Sequence, residues 1–182
     1  MSRLSIPTVD NSVAGSKPLL AAVLKQLGVV PNLMKLVGHS PAALEGYLAL
    51  NGALGKGKLS VQLRERIALA VAEYNGCDYC LSAHDYLGQN VAKLSRAELD
   101  AAREGRSEDA STKAALQFAL RVAQSRGRVS DADIATLRLA GFDEAAVIEI
   151  VANVAVNVLT NYINNVAQTD IDFPVVNAKL AA

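Results

Sequence analysis

The chain holds two cysteines and two histidines, and three of these four residues fall within eight positions. Cys77 and Cys80 are three apart, and His84 follows four residues later. On a helix, i,i+3 and i,i+4 neighbours share one face, so the two thiols and the imidazole line up together. A free thiol with a pKa of about 8.5 is mostly protonated at neutral pH, and the thiolate is the nucleophile. The positive end of a helix favours the thiolate at Cys77, whereas the nearby imidazole favours it at Cys80. Two thiols one turn apart also close reversibly into a disulfide, a two-electron couple. His84 is placed to take the Cys80 proton or to protonate a leaving oxygen.

These side chains need a hinge. Gly76 ends one periodic run and the next begins at Cys77 or Asp78. Glu65 precedes Gly76 by roughly 16 Å of helix and His84 follows it by roughly 12 Å. A fold-back at Gly76 therefore lets Glu65 approach His84 as its orienting carboxylate. Glu73, closer to the hinge, is the second candidate. Tyr79, between the cysteines, is a candidate wall of a substrate pocket. His39 sits at a helix boundary and reads as structural.

The surrounding pattern is helical throughout. Alanine and leucine, the strongest helix formers, recur at helical spacing along most of the chain. Ser40-Pro41 is a helix start, Ser95 with Glu98 reads as a capping box, and Gly28, Gly76, Gly105, Gly127 and Gly141 stand at helix stops. The predicted helices are 17–27, 31–38, 41–54, 60–75, 78–91, 95–104, 109–126, 130–140 and 143–167. No segment alternates as a strand does, so the expected class is all-α: one helical domain over 1–182, with its redox core at about 60–91. Ser5 to Val9 and Ile171 to Val176, bracketed by Pro7 and Pro174, read as extended arms lying on the surface or on a neighbouring subunit. The last helix is apolar nearly all round, apart from Asn153, Asn157, Asn161 and Asn165 at four-residue steps. Such a stripe is either a solvent face with ordinary interhelical hydrogen bonds or a polar seam at an oligomer interface.

Composition narrows the function. Eighteen basic against 18 acidic residues give no net charge, which argues against nucleic acid as a partner. With 51% hydrophobic and 20% charged residues the chain is folded rather than disordered. The first 17 residues lack a signal-peptide core, and the apolar run 145–158 is shorter than the roughly 20 residues that span a bilayer. The expectation is a cytoplasmic protein that binds no membrane. Two cysteines do not make a disulfide scaffold in a chain of this length. Zinc wants four ligands, and Cys77, Cys80 and His84 leave only His39 or Glu65 to complete a set, so no metal is expected.

The spacing of Glu65, Cys77-x-x-Cys80 and His84 resembles the core motif of the alkylhydroperoxidase AhpD-like, or carboxymuconolactone decarboxylase, superfamily. The tail from Thr160 to Pro174 is similar to the ending of its uncharacterised peroxidase-related branch. That resemblance implies an AhpD-like helical bundle and a thiol peroxidase working as a homo-oligomer, trimer or hexamer. It implies Cys80 as the peroxidatic and Cys77 as the resolving cysteine, with Glu65 and His84 as the proton relay. The implied partners are a hydroperoxide and a dithiol donor, lipoyl or thioredoxin-like, with no cofactor. One departure stands out: the best-known peroxidases of the family carry a second histidine between the cysteines, where this chain has Asp78-Tyr79. A carboxylate there opposes a thiolate at Cys77. The competing expectation from the same residues is a non-catalytic redox sensor that uses the dithiol as a switch.

Overall fold

The structure, a computed structural model, describes residues 1–179; residues 180–182 of the expected domain lie outside it. Its helices are α1 (Lys17–Leu27), α2 (Asn32–Val37), α3 (Pro41–Leu54), α4 (Val61–Tyr74), α5 (Asp78–Asn90), α6 (Arg96–Arg103), α7 (Ala110–Ser125), α8 (Asp131–Leu139) and α9 (Glu144–Ala167). A 3-10 turn, Ala14–Ser16, leads into α1. Among the described residues there is no strand, and the class is all-α.

Local chemistry sets the helix ends. Ser40 Oγ accepts from the Ala43 amide, and Ser95 and Glu98 cap each other reciprocally. A second reciprocal box, Ser130 with Asp133, starts α8. All five stop glycines have positive φ. Gly76 matters most, because its φ of 60° reverses the chain between α4 and α5 within three residues.

Two helices organise the packing. The stretch Ile67–Ala72 of α4 is at most 2% exposed, and its alanines let α5, α6, α7 and α9 approach closely. The second, α9, lies against α3, α4, α5 and α7. The start of α5 is thereby held between α4 and α9, and Leu69 of α4, Leu81 of α5 and Ile150 of α9 are fully buried. Truncating one such leucine to alanine costs about 2–5 kcal/mol.

The apolar run read as 145–158 extends further in the structure. Uncharged asparagines let the helix continue to Ala167, and by length and composition alone α9 is long enough and apolar enough to cross a membrane. Half of that apolar window is buried inside the bundle, as expected of a core helix. Both arms lie on this chain's own bundle. The Arg3 amide donates to Ala167 O at 2.6 Å, and the His39 ring binds Ser5 O at 2.7 Å. The C-terminal arm crosses α5, where the Val176 amide meets Ser82 Oγ at 2.9 Å and the Ala178 amide meets Asp78 Oδ1 at 2.8 Å.

Candidate active site

Cys77 is the N-cap of α5. Its extended backbone lets its sulfur accept from the Cys80 amide at 3.3 Å, the bond a serine or aspartate makes at other helix starts. Cys80 lies in the first turn, and the two sulfurs form a disulfide with the Cα atoms 5.3 Å apart, inside the range of about 4.4–6.8 Å usual for such bonds. Both residues are buried, Cys77 at 0% and Cys80 at 3% exposure.

One turn further on, His84 Nδ1 meets Glu65 Oε2 at 2.8 Å across the α4–α5 contact. Both side chains are partly open, at 23% and 17% exposure. An ionised carboxylate only accepts, so Nδ1 carries the proton in this pair and Nε2 is the basic nitrogen left for exchange. Tyr47 adjoins the pair. Burial, aided by the charge of Glu65, pushes its phenol up to about 12.

Glu73 is committed elsewhere. It is buried and binds Arg103 Nε at 2.6 Å and the Lys179 amide at 2.6 Å, so it serves the C-terminal arm. Tyr79 is buried too, and its hydroxyl donates to Asp172 at 2.8 Å while accepting from the Leu33 amide at 3.0 Å. Its ring meets Phe173 edge-on at 5.9 Å. Burial, opposed by the Leu33 amide and supported by Asp172, pushes this phenol well above its ordinary range. Among the described residues no cluster of three or more His, Cys, Asp or Glu side chains is arranged to hold a metal ion.

The asparagines of α9 divide. Asn153 and Asn157 donate to carbonyls one turn back on their own helix, each at 2.8 Å. Asn161 accepts from Asn75 at 2.8 Å, and Asn165 donates to Asn75 O at 2.9 Å. The residue nearest the chemistry is Asn164, outside the four-residue stripe, whose Nδ2 lies 3.3 Å from Cys80 Sγ. The helical period of 3.6 was the available signal: three residues after Asn161 is also the same face. A pocket of about 420 Å³ lies against the first turn of α5, lined by Asp78, Tyr79, Asn164, Asn165, Thr169 and Ile171 among others. His84 and Glu65 do not line it. A hollow of about 340 Å³ between α7 and α8 touches none of these residues.

A helical bundle with a disulfide-forming Cys-x-x-Cys at a helix start, and a Glu–His pair one turn on, defines a dithiol protein. Residues 41–125 match the model of the carboxymuconolactone decarboxylase family. That match, which covers the stretch from α3 to α7, agrees with the resemblance of the Glu65, Cys77, Cys80 and His84 spacing to the AhpD-like superfamily. It is similar to an AhpD-core, uncharacterised peroxidase-related protein from Ralstonia eutropha JMP134, at 26% identity over 94% of this chain and 92% of that one, with a TM-score of 0.83. A peroxidase-related protein from Silicibacter sp. TM1040 gives 24% identity, 93% and 91% coverage and a TM-score of 0.81. The debrominase Bmp8 gives 23%, 94%, 91% and 0.76. At these identities the last two likenesses speak for the fold alone. No curated protein matches the sequence significantly.

Proposed function

We propose that the chain is a thiol-dependent peroxidase that reduces hydroperoxides through Cys77 and Cys80. The observation that carries this reading is the 2.8 Å Glu65–His84 pair one turn beyond a cysteine already joined to its resolving partner. In the reduced protein His84 Nε2 takes the Cys80 proton. The thiolate attacks the terminal peroxide oxygen, the O–O bond breaks, and the leaving alkoxide takes the proton back from His84. Sulfur is thereby oxidised to a sulfenic acid and the peroxide is reduced to an alcohol. The Cys77 thiol then attacks the Cys80 sulfur, water leaves, and the disulfide forms. A dithiol donor of lipoyl or thioredoxin-like type returns two electrons and two protons. Cys80 is taken as the attacking sulfur because the family resemblance implies it and because it precedes His84 by one turn. The active protein works as a homo-oligomer, a trimer or hexamer.

Single-turnover mixing of the reduced protein with cumene hydroperoxide tests this. Expected are one alcohol and one Cys77–Cys80 disulfide per chain, with no peroxide consumed by Cys80→Ser. Consumption by that variant at the parent rate overturns the reading.

A second reading has an observation of its own. The C-terminal arm is tied to the two residues between the cysteines, through Asp78 to Ala178 and Tyr79 to Asp172. A redox switch would use that linkage to convert disulfide formation into arm movement or a change in assembly, without efficient turnover. Identical elution of the reduced and oxidised protein, together with fast turnover, dismisses it.

A further inference from the structure

We propose that Asn164 is a catalytic residue: its side-chain amide donates to Cys80 Sγ and stabilises the thiolate from which the reaction starts. The inference rests on Cys80 being the attacking thiol.

Asn164 is 3% exposed, and its Nδ2 lies 3.3 Å from the Cys80 sulfur, bringing a donor from α9 to a residue 84 positions earlier. The other end of the same amide, Oδ1, is buried with no partner. Burying an unpaired carbonyl oxygen destabilises the fold, so this side chain carries a cost that its bond to sulfur must offset. The contrast with its neighbours on α9 is direct. Asn153 and Asn157 bond to carbonyls of their own helix, and Asn161 and Asn165 share Asn75, although Asn161 Nδ2 is likewise buried without a partner. Only Asn164 spends its donor on sulfur.

A disulfide or thiol sulfur is a weak acceptor, whereas a thiolate makes a charge-assisted bond of about twice the strength of a neutral one. The contact therefore strengthens when Cys80 ionises, and an interaction stronger in the charged form lowers the pKa. Beyond the start of α5 and the His84 imidazole, the surroundings supply little of that sign. Asp78 and His84 lie on α5, Glu65 and Glu73 on α4, Arg103 on α6, Asp172 on the arm, and between Glu149 and its end α9 carries no charged residue and only the exposed Tyr162 as a titratable group. Glu65 is taken up by His84 and Arg103 by Glu73. Asp78 and Asp172 oppose a thiolate. An uncharged donor held on a packed helix stabilises Cys80 without adding a cation to be neutralised. Cys77 has a different donor, the backbone amide of Cys80, so a substitution at Asn164 acts on one sulfur only.

The test uses the reduced full-length chain with Cys77→Ser, which leaves one thiol to titrate. Thiolate absorbance and the pH profile of iodoacetamide alkylation are compared with the same chain carrying Asn164→Ala or the isosteric Asn164→Asp. Expected is a thiol pKa raised by about one unit in Asn164→Ala, with alkylation at neutral pH about tenfold slower. Asn164→Asp, which removes the donor and adds a like charge, moves it further. Unmoved titration curves in folded variants, judged by circular dichroism, overturn the proposal. If Asn164→Ala does not fold, Asn164→Asp decides by the same criterion. Peroxide turnover by the parent, with unmoved curves, sinks Asn164 and leaves the peroxidase reading intact. Shifted curves in a protein that consumes no peroxide do the reverse.

Discussion

At the scale of residues, the site depends on which nitrogen of His84 is free. Glu65 occupies Nδ1 at 2.8 Å, which leaves Nε2 as the nitrogen that exchanges the proton in the proposed mechanism. Replacing His84 with Asn removes the base, and positioned acid–base groups contribute about 10²–10⁴-fold. Stopped-flow peroxide reduction by His84→Asn should slow by that order, while Glu65→Gln, which keeps an acceptor but loses the charge, should slow by less. Equal rates in parent and His84→Asn would remove the relay. Alkali offers a second check. Tyr47 ionises at about 12 in the fold, whereas an unfolded tyrosine ionises at about 10. Its folded pKa is raised, so its contribution to stability is complete below about pH 10 and is lost as pH rises toward 12. Urea midpoints should fall between those limits, and less steeply in Tyr47→Phe. The Glu65–His84 pair and the Cys77–Cys80 disulfide were legible because their spacing on either side of Gly76 is itself the geometry. Asn164 was not, because four-residue steps from Asn153 pass over it. Glu73 lies as near the hinge as a site residue would, but its partners Arg103 and Lys179 are distant in sequence.

At the scale of elements, the C-terminal arm is latched by one buried ion pair. Glu73 and Arg103 are 6% and 7% exposed, and together they hold the arm through the Lys179 amide and Asn177 O. Removing one partner leaves the other charge buried, at a cost of about 3–5 kcal/mol, whereas removing both is far milder. Chemical denaturation should therefore rank Glu73→Leu and Arg103→Met each well below the parent, and the double variant above either. Limited proteolysis should cut the arm earlier in the single variants. Additive losses in the double variant would contradict this account. The helices themselves were readable to within a residue or so, since serine caps and glycine stops act locally. The docking of the arm was not. Its bonds span 74 to 140 positions, and nothing local in Ile171 to Val176 says which helix receives it.

At the scale of the whole molecule, α9 shows one apolar stripe to the interior and another to the outside. Ile148, Ala152, Ala155, Leu159, Tyr162 and Val166 follow one another in alternating steps of four and three, the spacing of a coiled-coil seam. Ile148 is 68% exposed, Leu159 46%, Tyr162 58% and Val166 66%. From Ile150 to Thr169 the chain carries no charged residue, so the stripe offers nothing to a charged partner. We propose that it packs against the same stripe of a second copy. Such a contact is isologous about a two-fold axis, and the small alanines let the helix axes approach. A two-fold contact gives an even number of subunits, which selects the hexamer over the trimer among the assemblies the family resemblance implies. Leu159→Glu places two carboxylates near the centre of this seam. Light scattering should show the particle mass halved in Leu159→Glu, with unchanged circular dichroism and an intact Cys77–Cys80 couple. An odd-numbered parent assembly, or an unaltered mass in the variant, would show that this stripe is not the contact.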